Sequence, residues 1–381
     1  MTEQSTTDGS GYFLYHSIGQ YPGKADDIAA AMREFGAVWG ACNDAQWGTV
    51  LSARARFVDR WRAIIGAPAD TVTTCENVTQ GLNMLVTALP EGALAGRRVL
   101  VAGDCFPSNH YLLSALGERL GFRLETVPLR QGAAWVEDED MIAHWGEDVA
   151  LALLTWVSST TSRRIDLDRL VAHGRKMGSL VGVDITQAAG LVPFSVDAPA
   201  VDFTLSTSLK WLCGTSGAGI LHVAEPLIAR CRPQLRGWFS QENPFYWRLD
   251  NFAYAPDIRR FDNGTPGAVA AIASLPALDW HARQDGAALL AHNRHLTQLL
   301  IDGAHAMGLD LATPVDERQR GGSIMIRLPE KHPAAPLVGE LRTMGLYADN
   351  RGQTLRLSPG MMTAKDRVAE LLDHLGKVMG A

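Results

Sequence analysis

The pattern that most constrains this chain is an alternation of short apolar runs with longer helical segments between residues 97 and 223. The apolar runs include RRVLVAG at 97–103, VALALLTWV at 149–157 and LVGVDIT at 180–186, and NHYLLSALGERLG at 109–121 is one of the helical segments. Such alternation is typical of an α/β fold whose sheet is mainly parallel and carries helices on both faces. Ligands of these sheets bind beyond the carboxyl ends of the strands, so functional residues are expected there.

The regions on either side of this alternation predict further parts of the chain. Two helical patterns, ADDIAAAMREFGAVWGA and LSARARFVDRWRAIIG, precede it. After residue 265, a long helical stretch, several short strand-like segments and a last helix predict a smaller α+β domain. We therefore expect an N-terminal arm at residues 1–20, a large domain at 21–265 and a small C-terminal domain at 266–381.

Composition and charge narrow the classes of partner and location. The formal net charge is −6 and no basic stripe is visible, so nucleic acid is not an expected partner. No window reaches the roughly 18 apolar residues of a membrane span, and the N-terminus lacks the apolar core of a signal peptide. The five cysteines, at positions 42, 75, 105, 213 and 231, form no C-x-x-C pair. They predict neither a disulfide framework nor a metal site, which is typical of a cytoplasmic protein.

A lysine, Lys210, stands between two predicted core strands, VDFTLS at 201–206 and AGILHV at 218–223. Burial of an unpaired ammonium group is costly, so this lysine requires a partner or a function. Asp184 ends the preceding strand-like run. A lysine and a carboxylate at neighbouring strand ends suit pyridoxal phosphate, whose aldehyde forms a Schiff base with lysine and whose ring nitrogen pairs with aspartate. An ordinary salt bridge is the alternative for this pair taken alone.

Residues near other strand ends could hold the remainder of such a cofactor. The segment CENVTQGLNMLVTAL begins a helix at Asn77, and free amide groups at a helix start bind phosphate, which makes Val78 and Thr79 candidates. Ser208 could add a hydroxyl group, and Phe106 could stack on the ring. Taken alone, the helix start also fits a plain N-cap, and Phe106 also fits a core position.

Together with these residues, RRFDNGTPG at 259–267 resembles the R-F-x-x-G-T-P motif of fold-type I pyridoxal-phosphate enzymes in the class V aminotransferase superfamily. Within that superfamily the chain is most similar to the kynureninase family. The similar segments are YFLYHSIGQYPG, FPSNHY, LRGWFSQENPFYWRLDNF and LRLSP, which follow the family's order from residue 12 onward.

The resemblance implies a mostly parallel seven-stranded sheet between helical layers, a smaller C-terminal α+β domain, pyridoxal 5′-phosphate as cofactor and a homodimer with shared active sites. It assigns catalysis to Lys210 and Asp184. It assigns cofactor binding to these two residues together with Gln187, Phe106, Val78, Thr79, Ser208 and, from the partner subunit, Thr265. It assigns substrate binding to Arg356, Asn263, Trp238 and Ser17. Arg356 would hold the α-carboxylate of an amino acid through its planar fork.

The function that this resemblance implies is hydrolysis of the β–γ bond of an amino acid with a γ-carbonyl group, such as kynurenine, with release of L-alanine. The alternative is another class V reaction on a small amino acid: β-elimination or desulfurisation, β-decarboxylation, epimerisation or transamination. A non-catalytic binding protein is the third possibility. A cysteine desulfurase requires a nucleophilic cysteine on a C-terminal loop, and TPVDERQRGG at 313–322 contains none.

Several positions depart from the kynureninase pattern. Leu209 stands where the family has a tyrosine that donates a hydrogen bond to the phosphate, and leucine cannot donate one. Asn109 replaces the motif aspartate, and Gln187 replaces a histidine. Asp262 replaces a serine of the substrate loop, where its carboxylate could meet a cationic group. These differences bear on the substrate more than on the cofactor.

Overall fold

The computed structural model describes residues 8–380, and a seven-stranded sheet forms its centre. The strands are β1 (Val72–Cys75), β2 (Arg98–Ala102), β3 (Arg123–Val127), β4 (Val149–Thr155), β5 (Leu180–Asp184), β6 (Phe203–Thr207) and β7 (Gly219–Val223). Their order across the sheet is β1-β7-β6-β5-β4-β2-β3. β7 runs antiparallel to both neighbours, and the other neighbouring pairs are parallel. The mainly parallel sheet that the sequence predicted is confirmed.

Side chains of the central strands alternate between two apolar cores, one on each face of the sheet. Leu100 and Leu154 belong to one core, whereas Val99 and Leu153 belong to the other. Successive residues of a strand point to opposite faces, so a strand that is buried on both faces is apolar at nearly every position. This double burial explains the continuous apolar runs of the sequence.

Helices connect these strands and surround the sheet. Those of residues 8–380 are α1 (Lys24–Trp39), α2 (Gln46–Ile65), α3 (Val78–Val86), α4 (Pro107–Leu120), α5 (Asp138–His144), α6 (Leu167–Met177), α7 (Glu225–Arg230), α8 (Val269–His281), α9 (Gly286–Ala306), α10 (Ala334–Thr343) and α11 (Lys365–Met379). Within the same residues, no helix combines the length and the apolar character that a membrane crossing demands.

A second, smaller sheet contains β8 (Asp310–Leu311), β9 (Ile324–Arg327), β10 (Asp349–Arg351) and β11 (Thr354–Leu357). It is antiparallel throughout, in the order β10-β11-β9-β8. The N-terminal segment joins this unit, because Phe13 is completely buried in the core of the small sheet and Leu14 forms a bridge to Ser358. The segment around Phe13 and Leu14 therefore packs with the small C-terminal sheet.

The packing of α8 bears on where the two domains divide. α8 packs against α1 and α2, and its residue Leu278 belongs to the core of the large sheet. In α9, Leu290 still contacts that core, whereas Leu296 and Leu300 lie in the core of the small sheet. We therefore propose that the domains divide within α9 rather than at the predicted residue 266.

His222 makes the stability of the large sheet sensitive to acid. It lies in β7 between β1 and β6, and burial lowers its pKa to about 4. The unfolded chain, with an ordinary histidine pKa near 6.5, binds this proton more readily, so stability falls as the pH drops through the window between these values. The resulting loss in the free energy of unfolding is about 3 kcal/mol at most. We expect His222→Leu to remove this loss, as measured by urea unfolding at neutral and acidic pH.

The matched control for this prediction is His305→Gln, because His305 is exposed in α9. The control variant should retain the full acid sensitivity of the wild-type protein. If His222→Leu and wild type lost the same free energy of unfolding on acidification, the titration of His222 would not be its cause.

Candidate active site

Lys210 lies in the turn between β6 and β7 and points into a cavity beside the large sheet. Burial lowers its pKa to about 8, although the negative charge of Asp184 acts in the opposite direction. The positive charges of Arg356 and Arg351 lower the pKa further. A pKa near 8 leaves about a tenth of the amine neutral at pH 7, far more than for an ordinary lysine. The amine is therefore prepared for nucleophilic attack and for proton transfer.

Asp184, the last residue of β5, is buried, and two donors orient its carboxylate. The backbone amide of Thr186 donates to Oδ1 at 2.9 Å, and the side-chain amide of Asn109 donates to Oδ2 at 3.0 Å. Asn109 itself is completely buried in α4. Both donors hydrogen-bond to the carboxylate without adding a charge, so the negative charge of Asp184 remains available to a ligand.

The cavity has a volume of about 710 Å³ and unites half of the residues that the sequence nominated. It is lined by both proposed catalytic residues and by four of the proposed cofactor residues: Lys210, Asp184, Val78, Thr79, Phe106 and Gln187. Lys210 Nζ lies 5.8 Å from the centroid of the Phe106 ring. An amine, a carboxylate and an aromatic face thus converge on one space, which is the arrangement that a flat heterocycle with an aldehyde and a ring nitrogen requires.

The start of α3 forms one end of this cavity. Asn77 caps the helix, and its side chain accepts a hydrogen bond from the amide of Gln80 at 2.9 Å. Val78 and Thr79 follow on the cavity wall. An anionic group is stabilised at a helix N-terminus by free amides and by the helix dipole. This end is therefore the part of the cavity that suits a phosphate group.

The structure places Thr207, rather than Ser208, on the cavity wall. Ser208 is completely buried in the core, where its hydroxyl accepts from Trp61 Nε1 at 3.0 Å and donates to the carbonyl of Ala218 at 2.8 Å. Thr207 is the last residue of β6. It shares a face with Leu205, whose side chain lies beneath Gly81 of α3. Strand alternation places Thr207 on the cavity side only once the structure has shown the direction of Leu205, because every position of β6 is buried.

Four hydroxyl groups of the cavity are buried and have no hydrogen-bond partner among residues 8–380: those of Thr155, Ser159, Thr186 and Thr207. Buried hydroxyl groups normally have partners, because an unsatisfied one costs about 1–3 kcal/mol. Their concentration in this cavity fits a ligand with several oxygen and nitrogen atoms, as pyridoxal phosphate is. Sequence analysis did not identify any of the four.

The remaining nominated residues lie elsewhere in this chain. Asn263 and Thr265 line a separate cavity of about 390 Å³, which shares Gln80 with the first. Ser17 is exposed, and Trp238 packs edge-on against Phe239 with ring centroids 4.5 Å apart. Arg356 lies in β11 and pairs with a carboxylate of β10. None of these five residues lines the cavity that contains Lys210.

Asp262 proves to be an anchor for its loop. Its carboxylate pairs with Arg54 Nη2 at 2.7 Å and accepts from the hydroxyl of Thr73 at 2.7 Å. Both oxygens also lie within reach of Arg54, because Nη1 is 3.4 Å from Oδ2. The charge of Asp262 is therefore neutralised inside the chain and does not remain for a cationic substrate.

A family model described as aminotransferase class-V matches residues 53–347. The chain belongs to the class V aminotransferase family. Pyridoxal phosphate is the cofactor of this class V enzyme, as the sequence predicted, and the cavity lined by Lys210 and Asp184 fits it.

Curated relatives of the class V enzyme include kynureninases. That of Deinococcus radiodurans is 30% identical over 304 residues, which cover 78% of this chain and 70% of the relative. That of Monosiga brevicollis is 27% identical over 338 residues, which cover 81% and 73%. An uncharacterized aminotransferase, YcbU of Bacillus subtilis, is 24% identical over 329 residues, which cover 86% and 85%. The similarity to kynureninases that the motifs predicted is confirmed.

Solved structures agree on the fold of the class V enzyme. The apo cysteine desulfurase of Thermococcus onnurineus NA1 superposes with a TM-score of 0.85 at 17% identity, covering 97% of this chain and 94% of the other. A lysine-to-alanine mutant of C-DES, with glycine covalently linked to its pyridoxal-phosphate cofactor, gives 0.85 at 18% identity and covers 97% and 96%. The predicted fold type I is confirmed, and at these identities the likeness establishes the fold alone.

Proposed function

We propose that this class V enzyme is a pyridoxal-phosphate-dependent hydrolase of the kynureninase type. It cleaves the β–γ carbon bond of an amino acid that carries a γ-carbonyl group, such as kynurenine. Water delivers its hydroxyl to the γ-carbon and a proton to the β-carbon, so the products are a carboxylic acid and L-alanine. The observation that carries the proposal is the meeting of Lys210 and Asp184 in one cavity, in a chain whose curated relatives include kynureninases.

Each residue of the cavity is proposed to have its own role in catalysis or in holding the cofactor. When bound, pyridoxal phosphate supplies an aldehyde for the substrate amine and a ring that withdraws electrons from the α-carbon. Lys210 Nζ accepts the α-proton, which its lowered pKa favours. Asp184 would hold a proton on the ring nitrogen through its carboxylate, and Phe106 would pack against the ring face. Val78, Thr79 and Thr207 would bind the phosphate, and Gln187 would serve the ring hydroxyl.

The chain is further proposed to act as a homodimer in which each subunit completes the other's site. Support comes from Thr265 and Asn263, which line a separate cavity from Lys210 within one chain. Exposed aromatic side chains at Phe245 and Trp247 lie in the segment that follows Trp238. In the proposed dimer, these loops would border the partner's cavity. Trp238 and Ser17 are proposed to border the substrate there.

Leu209 on the cavity wall departs from the tyrosine of the kynureninase pattern, and this departure keeps a second candidate open, a carbon–sulfur β-lyase. A persulfide-forming desulfurase is a poorer candidate as far as the four buried cysteines are concerned, whereas Cys42 is exposed. Burial raises the pKa of Cys75, Cys105 and Cys213 to about 12 and that of Cys231 to about 11. These thiols are protonated at neutral pH and are weak nucleophiles. A β-lyase requires no protein thiol.

The test is a product assay of the holoenzyme with L-kynurenine, 3-hydroxykynurenine, L-aspartate and L-cystine. We expect L-alanine and the corresponding aromatic acid in equal amounts from a γ-carbonyl substrate, quantified by mass spectrometry. Lys210→Ala provides the background. Pyruvate and ammonia from cystine, without alanine from either kynurenine, would replace the proposal with the β-lyase.

A further inference from the structure

Arg356, the proposed holder of a substrate carboxylate, is already bound on one edge. It lies directly opposite Asp349 in the antiparallel pair of β10 and β11. Its Nε donates to Asp349 Oδ1 at 2.8 Å, and its Nη2 donates to Oδ2. Among residues 8–380, these are the hydrogen bonds that its guanidinium makes. The other edge, formed by Nη1 and the second hydrogen of Nη2, has no partner there. A planar guanidinium can bind one carboxylate on each of two edges.

Asp349 is held in turn by His16 of the N-terminal arm. His16 Nε2 lies 3.2 Å from Asp349 Oδ2, and its Nδ1 lies 2.7 Å from the hydroxyl of Ser358. Burial lowers the pKa of His16, although the hydrogen bond to Asp349 acts in the opposite direction. The imidazole is therefore neutral at pH 7, and its Nε2–H is assigned as the donor to the carboxylate. Ser358 then donates to Nδ1.

The carboxylate of Asp349 is ionised in this arrangement. Burial alone would raise its pKa, but the hydrogen bonds from His16 and Arg356 hold the pKa below its usual value. The charge of Arg356 is thus balanced before any substrate arrives. A pre-oriented, charge-balanced side chain avoids the entropic cost of fixing a mobile arginine when the ligand binds.

This network adjoins the lysine cavity. The carbonyl of His16 accepts a hydrogen bond from Gln187 Nε2 at 3.2 Å, and Gln187 lines that cavity. The amide of Gly19 donates to the carbonyl of Leu209 at 2.9 Å. A side chain at Gly19 would overlap the carbonyl oxygen of Lys210, so the arm is packed closely against the turn that contains Lys210.

We propose that Asp349, fixed by His16, is a positioning residue that orients Arg356 so that its second edge receives the α-carboxylate of an amino-acid substrate. The inference rests on the proposed function only in requiring an amino-acid substrate, and it holds equally for other class V reactions. It makes the N-terminal arm part of the substrate site through His16 as well as through Ser17.

The test compares amino acids with the amines that lack their carboxylate. The holoenzyme is titrated with L-alanine and ethylamine, and with L-phenylalanine and phenethylamine, while the absorbance of the cofactor reports displacement of Lys210. We expect Asp349→Asn to weaken the binding of both amino acids about 10- to 100-fold and to leave the amines unchanged. His16→Ala should also weaken the binding of the amino acids relative to that of the amines. His16→Gln, whose amide can donate to Asp349, should restore part of the amino-acid affinity that His16→Ala loses.

Glu330→Gln is the matched control, because Glu330 is an exposed carboxylate of the same small domain. If Asp349→Asn weakened amines and amino acids equally, or neither, its role would be structural or absent and the proposal would be overturned. If Asp349→Asn failed to fold, the two His16 variants would decide by the same ratio. The titration requires no turnover, so it remains interpretable even if no γ-carbonyl substrate releases alanine.

Discussion

The variant Lys210→Ala should lose activity by roughly 10⁴-fold or more, because it removes both the covalent anchor of the cofactor and the group that accepts the α-proton. The lowered pKa of Lys210, about 8, is what equips the wild-type amine for both tasks near neutral pH. A second measurement isolates the anchor. After borohydride treatment, mass spectrometry should find the cofactor fixed to the peptide that contains Lys210 in wild type and on no peptide of the variant.

Lys331→Ala is the control for this experiment, because Lys331 is exposed and lies in the small domain. It should retain both activity and the fixed cofactor. Added methylamine should recover a small part of the lost rate in Lys210→Ala, since a free amine can carry the proton. Full activity in Lys210→Ala, or cofactor fixed to a different lysine in wild type, would remove the basis of the proposed function.

Asp184→Asn should lower kcat by roughly 10²–10³-fold, the scale of losing one preorganised electrostatic contact. Its carboxylate is buried and held by Asn109 and the amide of Thr186, so its orientation at the cavity wall is fixed. An amide at this position cannot hold a proton on the ring nitrogen by charge. The measurements are steady-state kinetics and the dissociation constant of the cofactor. We expect kcat to fall and the dissociation constant to rise.

Asn109→Ala separates orientation from charge in the same site. It removes one of the two hydrogen bonds to Asp184 but keeps the carboxylate, so a smaller loss of about tenfold is expected. Asp197→Asn, an exposed site on the segment after β5, should behave as wild type. Equal effects of Asp184→Asn and Asn109→Ala would show that the negative charge contributes nothing beyond packing.

The sequence by itself determined the large sheet and the two ends of the cofactor site. Alternating apolar and helical segments are local patterns, and burial on both faces of a parallel sheet produces them wherever it occurs. Asp184 and Lys210 could be paired because the carboxyl ends of neighbouring parallel strands meet at one edge. The start of α3 at Asn77 could be located from its capping residue alone.

The tertiary structure alone decided which side of a strand end faces the cavity and which distant residues meet. Ser208 and Thr207 differ by one position, and in an extended chain that difference reverses the direction of a side chain. His16 and Ser358 are 342 residues apart, yet they share a hydrogen bond that helps to fix Arg356 through Asp349. Periodicity describes neighbours along the chain, whereas such contacts depend on how two sheets and the arm pack, which local patterns do not encode.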